Sequence, residues 1–324
     1  MKLATIAAGG RDGTLVIVSK DCQHYVTADG IAATLQQAIE NWHELSPQLL
    51  ALYAALNQGK APGQQAVDTK KFSAPLPRAW QWLDGSVFDS HGALMDQVLG
   101  IKAEKNNAPL MYQGISNQFY GPHDDIPVPS EELGIDFEGE FGVIVDDVPM
   151  GTSAEKAQNH IRLLVQINDW SLRALAGPEM KTGFGWIQAK PASSMAPFAI
   201  TPDELGEHWK DARVHLHLAV DWNEKRFGKP HGGPMGFGFD ELVAHAAFTR
   251  SLCAGTVIGS GTVSNNNYRE VGSTCIAERR GIEMIDEGSP KTEFMRFGDR
   301  VKMQAQSPEG EPLFGVIDQQ VIKG

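Results

Sequence analysis

Short apolar runs cut by turn residues open the chain. "MKLATIAAGGRDGTLVIV" reads as a strand, a Gly-Gly-Arg-Asp-Gly turn and a second strand. The period then changes. In "ATLQQAIENWHELSPQLLALYAALNQG", Leu35, Ala38, Ile39, Trp42 and Leu45 recur at helical spacing, and Leu49, Leu52 and Leu56 resume it after a Ser-Pro break. The pattern predicts two helices ending near Gly59. Pro, Gly and Gln then crowd "GKAPGQQAVDTKKFSAPLPRAW", which reads as a linker. It divides a small N-terminal α+β domain, residues 1–75, from a β-rich domain, residues 76–324.

Beyond the linker, "KAQNHIRLLVQINDW" begins as a helix, with Ile161, Leu164 and Val165 on one face, and ends in an apolar strand leading to Asp169. Val214, Leu216, Leu218 and Val220 alternate up to a Trp-Asn-Glu-Lys turn, which predicts a hairpin. "FDELVAHAAFTRSL" is a helix with Asp240 and Glu241 near its positive end. The tail predicts two strands around Pro308-Glu309-Gly310. Many strands with a few helices make the fold class α+β and β-rich.

In "GIDFEGEFGVIV", period two puts Ile135, Phe137, Phe141, Val143 and Val145 on one face of a strand and Asp136, Glu138 and Glu140 on the other. Taken alone, the acidic face is most simply a solvated one. Two features argue for burial. Gly139 marks close backbone approach, and the run after Phe141 is apolar on both faces. Acids on a buried strand need a partner, and a divalent cation is the usual one. Asp169, at the end of "LLVQIND", and Asp84, in "WQWLDGSVF", are further candidates, although Asp-Gly is also a common turn. Four acids without a cysteine would make an all-oxygen site.

Composition narrows the partners. A net charge of −12 disfavours nucleic acid and anionic membranes. Three scattered cysteines form neither a disulfide framework nor a CxxC site, so a reducing cytoplasm is the expected location. No signal peptide or transmembrane run is expected. "GTVIGSGTV" lacks the order of a nucleotide loop, there is no GxSxG elbow, and His215 and His217 read as exposed strand positions.

"DGSVFDSH", "PLMYQG", "GIDFEGEFGVI", "INDWSLR", "AKPASS", "GTVSN" and "FMRFGDRV" occur in an order that resembles the fumarylacetoacetate hydrolase family, in its bacterial two-domain form. The resemblance covers about residues 75–324, and the N-terminal region is similar to the extra domain of fumarylacetoacetase-type members. It implies a mixed sandwich-like β roll, a homodimer, and a divalent cation, Mg²⁺ first with Ca²⁺ or Mn²⁺ also compatible, held by Asp84, Glu138, Glu140 and Asp169. It further implies His91, Glu278 and Lys190 as catalytic residues and Tyr112, Arg173, Ser194 and Thr262 as substrate contacts. The pattern departs from the family at Ser86, Ala176 and Pro191.

The implied activity is hydrolysis of a C–C bond in a β-diketo acid, fumarylacetoacetate above all, giving fumarate and acetoacetate by a His–Glu activated water and a metal-stabilised enolate. An acylpyruvase or an oxaloacetate decarboxylase would use the same metal platform. A non-catalytic cation-binding β-protein is the alternative of a different class.

Overall fold

The computed structural model describes residues 1–99, 107–307, 310 and 313–324. Its frame is an 11-stranded sheet that begins in the N-terminal segment and continues into the rest of the chain. Antiparallel strands His24–Thr27, Thr14–Val18 and Lys2–Ile6 lead to Ala199–Ile200, then to Ile161–Asn168 and Gly139–Val145. Beyond these lie Thr256–Gly259, Trp82–Ser86 and Leu110–Gly114. Thr256–Gly259 and Trp82–Ser86 run parallel. A second sheet of five strands contains the hairpin His217–Trp222 and Lys225–Gly228 beside Arg300–Gln306 and Ile317–Lys323. The chain is thus α+β and strand-rich, with several sheets.

Gly139–Val145 is buried at all seven positions, because it has a core on each side. Phe141, Val143 and Val145 pack with Leu218, Val220 and Met303 of the second sheet. Ile144 faces the other way, into a core shared with Leu163, Val165 and Ile167 and with Leu35 and Leu49 from the N-terminal helices. Burial on both faces is why this strand reads as a near-continuous apolar run. Full burial of side chains of this size contributes on the order of 1.5–3 kcal/mol each, so the strand is a rigid base for the acids it carries.

Several expectations change in detail. Pro47 does not break a helix: Trp42–Asn57 runs through it, and the break falls one turn earlier, at Asn41, after the helix Leu35–Glu40. Pro47 is the sixth residue of that helix, so it removes one i→i−4 hydrogen bond without ending the helix. Ile161, Leu164 and Val165 belong to the strand Ile161–Asn168, and the helix before it is only Ala154–Ala157. Pairing on both edges overrode the local helical spacing. The acidic stretch is two strands, Ile135–Asp136 and Gly139–Val145, separated at Phe137–Glu138. Asp84 lies inside a strand rather than in an Asp-Gly turn. The predicted hairpin is present, and Asn223 and Glu224 take positive φ (48° and 65°), the signature of a type I′ turn. Pro308 and Glu309, from the expected last turn, lie outside the described residues.

Candidate metal centre and histidine–glutamate dyad

Cross-strand register brings the acids together. Glu140 pairs with Ile167, and Asp169 lies two residues beyond Ile167, directly after the end of that neighbouring strand. On the other side Gly142 faces Gly259, which in turn faces Asp84. Asp84 must reach over Thr256–Gly259 to meet Glu140, and Gly259 leaves the space: a Cβ there would lie 2.2 Å from Asp84 Oδ1. One carboxylate oxygen from each of Asp84, Glu140 and Asp169 then lies within 4.8 Å of the others, and all three residues are buried.

Their hydrogen bonding is unequal. Asp84 Oδ1 accepts the Gly261 N–H (3.1 Å). Asp169 accepts from Lys190 Nζ (2.6 Å), the Tyr112 hydroxyl (2.7 Å) and the Ser193 hydroxyl (2.6 Å). Both oxygens of Glu140 are buried with no hydrogen-bond partner among the described residues. Burial, followed by the charge of Asp169, pushes Asp84 well above the ordinary carboxyl value of 3.8. Burial and the charges of Asp84 and Asp169 do the same to Glu140, relative to 4.5. A carboxylate with two bare oxygens, crowded by two others in a dry site, fits a hard divalent cation with oxygen ligands.

Glu138 stands outside that group of three. Ser171 (2.8 Å) and Arg173 (2.6 Å) meet its Oε1, while Thr262 (3.0 Å) and Lys190 (3.2 Å) meet Oε2. Burial works to raise its pKa, but Lys190, Arg173, Ser171 and His91 outweigh burial and hold it well below the ordinary range. Lys190 is bound by the same logic: burial favours the neutral amine, yet Asp169 and Glu138 hold it charged. Its Nζ also lies over the rings of Tyr112 (5.3 Å) and Trp186 (5.6 Å), an aromatic cage about the ammonium.

His91, near the start of the helix Asp89–Leu99, places Nδ1 2.8 Å from Glu278 Oε2. Glu278 is fully buried and His91 is 17% exposed. A carboxylate partner fixes the proton on Nδ1 and leaves Nε2 with a free lone pair, the arrangement of a general base.

Two family models match the chain. Residues 82–322 match the fumarylacetoacetate (FAA) hydrolase C-terminal model, and residues 1–78 match fumarylacetoacetase N-terminal domain 2. The chain belongs to the fumarylacetoacetate hydrolase family. Among its curated relatives, the 2,4-didehydro-3-deoxy-L-rhamnonate hydrolase of Sphingomonas sp. (strain SKA58) is 25% identical over 157 residues, 48% of this chain and 52% of the relative. The fumarylacetoacetase of Dictyostelium discoideum is 25% identical over 211 residues, 55% of this chain and 49% of the relative. The chain thus spans about half the length of the curated relatives it matches. Among solved structures, maleylpyruvate hydrolase from Sphingobium sp. SYK-6, in complex with manganese(II) and pyruvate, aligns over all of both chains with a TM-score of 0.66 and 15% identity. The 5-carboxymethyl-2-hydroxymuconate delta-isomerase of Mycobacterium smegmatis aligns over 100% of this chain and 99% of its own, at 0.60 and 16%. Members of the family are enzymes, hydrolases and isomerases among them.

Most residues singled out by the family's motifs converge here. Asp84, Glu140 and Asp169 form the cluster; Glu138, Lys190, Tyr112, Thr262 and Arg173 surround it. Arg173 is engaged by two carboxylates, Asp136 and Glu138. Ser194, expected as a substrate contact, is turned away: its Oγ accepts the Trp170 indole N–H (2.9 Å) inside the sheet. Of the two adjacent serines, it is Ser193 whose hydroxyl reaches the cluster. Sequence reasoning also passed over Trp186, whose ring meets Tyr112 edge-on at 5.0 Å, and Ser171. A tandem Ser-Ser held a signal for Ser193, since one of two adjacent side chains must face each way.

Proposed function

We propose that the chain is a hydrolase cleaving a C–C bond of a small β-diketo acid, with fumarylacetoacetate as the leading substrate. The observation that carries this reading is the pairing of a buried three-carboxylate cluster with a carboxylate-held histidine in one family site. Asp84, Glu140 and Asp169, with Glu138 beside them, would hold a divalent cation, Mg²⁺ first. When bound, such a cation supplies Lewis-acid polarisation of the diketone oxygens and offsets the charge that builds there.

The chain's own groups supply the rest. His91 takes a proton at Nε2 from the attacking water while Glu278 steadies the imidazolium. The hydroxyl adds to one carbonyl carbon, and the electrons of the breaking C–C bond leave on the other fragment as an enolate, which is then protonated. Lys190, kept cationic by Asp169 and Glu138, stabilises the oxyanion or binds the substrate carboxylate. A second reading, an acylpyruvase or oxaloacetate decarboxylase-type activity on the same metal site, is favoured by Ser86, Ala176 and Pro191, which alter the family's substrate-side positions while leaving the acids and the dyad intact.

Loss of fumarylacetoacetate, followed by ultraviolet absorbance with EDTA or with added Mg²⁺, Mn²⁺ or Ca²⁺, tests the proposal. Turnover that EDTA abolishes and metal restores is expected. No turnover with any of the three ions overturns the substrate assignment, and turnover of only an acylpyruvate or oxaloacetate promotes the second reading.

A further inference from the structure

Asp136 is the acid of "IDFEGE" that is neither in the cluster nor bonded to Lys190 beside it, yet it is fully buried. Three donors occupy its two oxygens. Oδ1 accepts the Ile276 N–H (2.7 Å); Oδ2 accepts the Ala277 N–H (2.9 Å) and Arg173 Nε (2.8 Å). Ile276 and Ala277 open the helix Ile276–Glu287, and the next residue is Glu278. The first amide N–H groups of a helix lack intrahelical acceptors and carry its positive end, so a buried carboxylate there is a strong, directional anchor. On its other side, Arg173 reaches Glu138.

We infer that Asp136 is a positioning residue: it fixes the helix start that carries Glu278, and through Glu278 holds His91 in register with the carboxylate cluster. Among the described residues, a single hydrogen bond holds the buried Glu278 side chain. Oε2 bonds His91, while Oε1 is buried with no hydrogen-bond partner among the described residues. Its placement therefore depends on the backbone beneath it. That backbone is tied to the acidic strand twice, by the bridge between Cys275 and Glu138 and by the Asp136 carboxylate. Replacing Asp136 by a neutral side chain leaves a buried N–H short of an acceptor and Arg173 with one counter-charge fewer.

The inference rests on the proposed reading only in making His91 the proton-transfer group. The test compares wild type with Asp136→Asn, using Mn²⁺ affinity by electron paramagnetic resonance, kcat and KM on the best diketo acid, and the His91 Nδ1–H signal of the metal-free, ¹⁵N-labelled protein. Asparagine is expected to keep Mn²⁺ affinity within about threefold and KM nearly unchanged. It should lower kcat by about 100-fold, the scale of misplacing a catalytic group by an ångström, and lose the protected Nδ1–H signal. Wild-type kcat with an intact signal, or loss of Mn²⁺ binding in step with kcat, overturns it. If wild type turns over no diketo acid, the hydrolase reading fails alone, and the His91 signal still decides this one. Should Asp136→Asn not melt cooperatively, Asp136→Glu, which keeps the charge opposite Arg173 but moves it by one methylene, is read the same way. Failure of both to fold overturns positioning in favour of a folding requirement.

Discussion

Glu140 concentrates the chemistry of the cluster in one side chain: full burial, two neighbouring acids and two oxygens without a donor among the described residues. Glu140→Gln removes the charge and keeps the shape. Mn²⁺ affinity, measured by titration calorimetry, is expected to fall by more than about tenfold, because oxygen sites follow ligand charge. The metal-free protein should melt no lower than wild type, because the crowding of like charges is relieved. His91→Asn should do the reverse, leaving Mn²⁺ affinity within about threefold while kcat/KM falls by about 10²–10⁴, the usual worth of a general base. Parallel loss of both properties in either variant contradicts the division of labour between cluster and dyad. At this scale the sequence was informative about residue type. It could not choose between Ser193 and Ser194, because that depends on which way the backbone faces at the edge of the strand Ile161–Asn168.

At the scale of elements, the site depends on what strands omit. Gly259 is the gap through which Asp84 approaches Glu140, and a methyl group there would also lie 2.4 Å from the Trp82 ring. Gly259→Ala is therefore expected to cost about 1–3 kcal/mol, the range for overpacking a dense interior, and to weaken Mn²⁺ binding as well. Urea denaturation with and without Mn²⁺ reads both effects; unchanged stability would mean that Asp84 has room to move aside. Gly139 acts similarly on the strand's other face, where a Cβ would lie 3.0 Å from Leu218. The alternation of "GIDFEGEFGVIV" made its two faces legible. The break at Phe137–Glu138 was not, because the bridge from Glu138 to Cys275 comes from a segment more than a hundred residues away.

For the whole molecule, the unusual ionisation of the cluster makes stability depend on pH and metal together. Asp84 and Glu140 have folded-state pKa values raised above 3.8 and 4.5. The stability they contribute is fully present below those ordinary values and is lost as pH rises through the raised ones. Glu138 acts in the opposite sense, but only below its ordinary 4.5, since its folded pKa is depressed. Between about pH 5 and pH 8 the metal-free Tm should accordingly fall as pH rises, while the gain on adding Mn²⁺ grows, because a cation selects ionised carboxylates. At a metal concentration of about 100 Kd the gain is about 2.7 kcal/mol. A metal-induced shift that is flat with pH would contradict proton displacement at the cluster. No helix among the described residues is long and apolar enough to cross a membrane.

The sequence by itself determined the kinds of group available: strands of period two, a buried acidic strand, and oxygen ligands without a thiolate partner. Its ordered motifs also determined the family. Tertiary structure alone decided which oxygens meet. Asp84, Glu140 and Asp169 converge through a register across four strands and a missing side chain at Gly259. Glu138 turns instead to Lys190 and Arg173. Asp136, read along the chain as a neighbour of the ligands, acquires its role only because the helix start at Ile276 is brought against it. The physical reason is the same in each case. Periodicity is written locally in the chain, whereas hydrogen bonds and charge pairs depend on distances between segments remote in sequence, and only packing sets those.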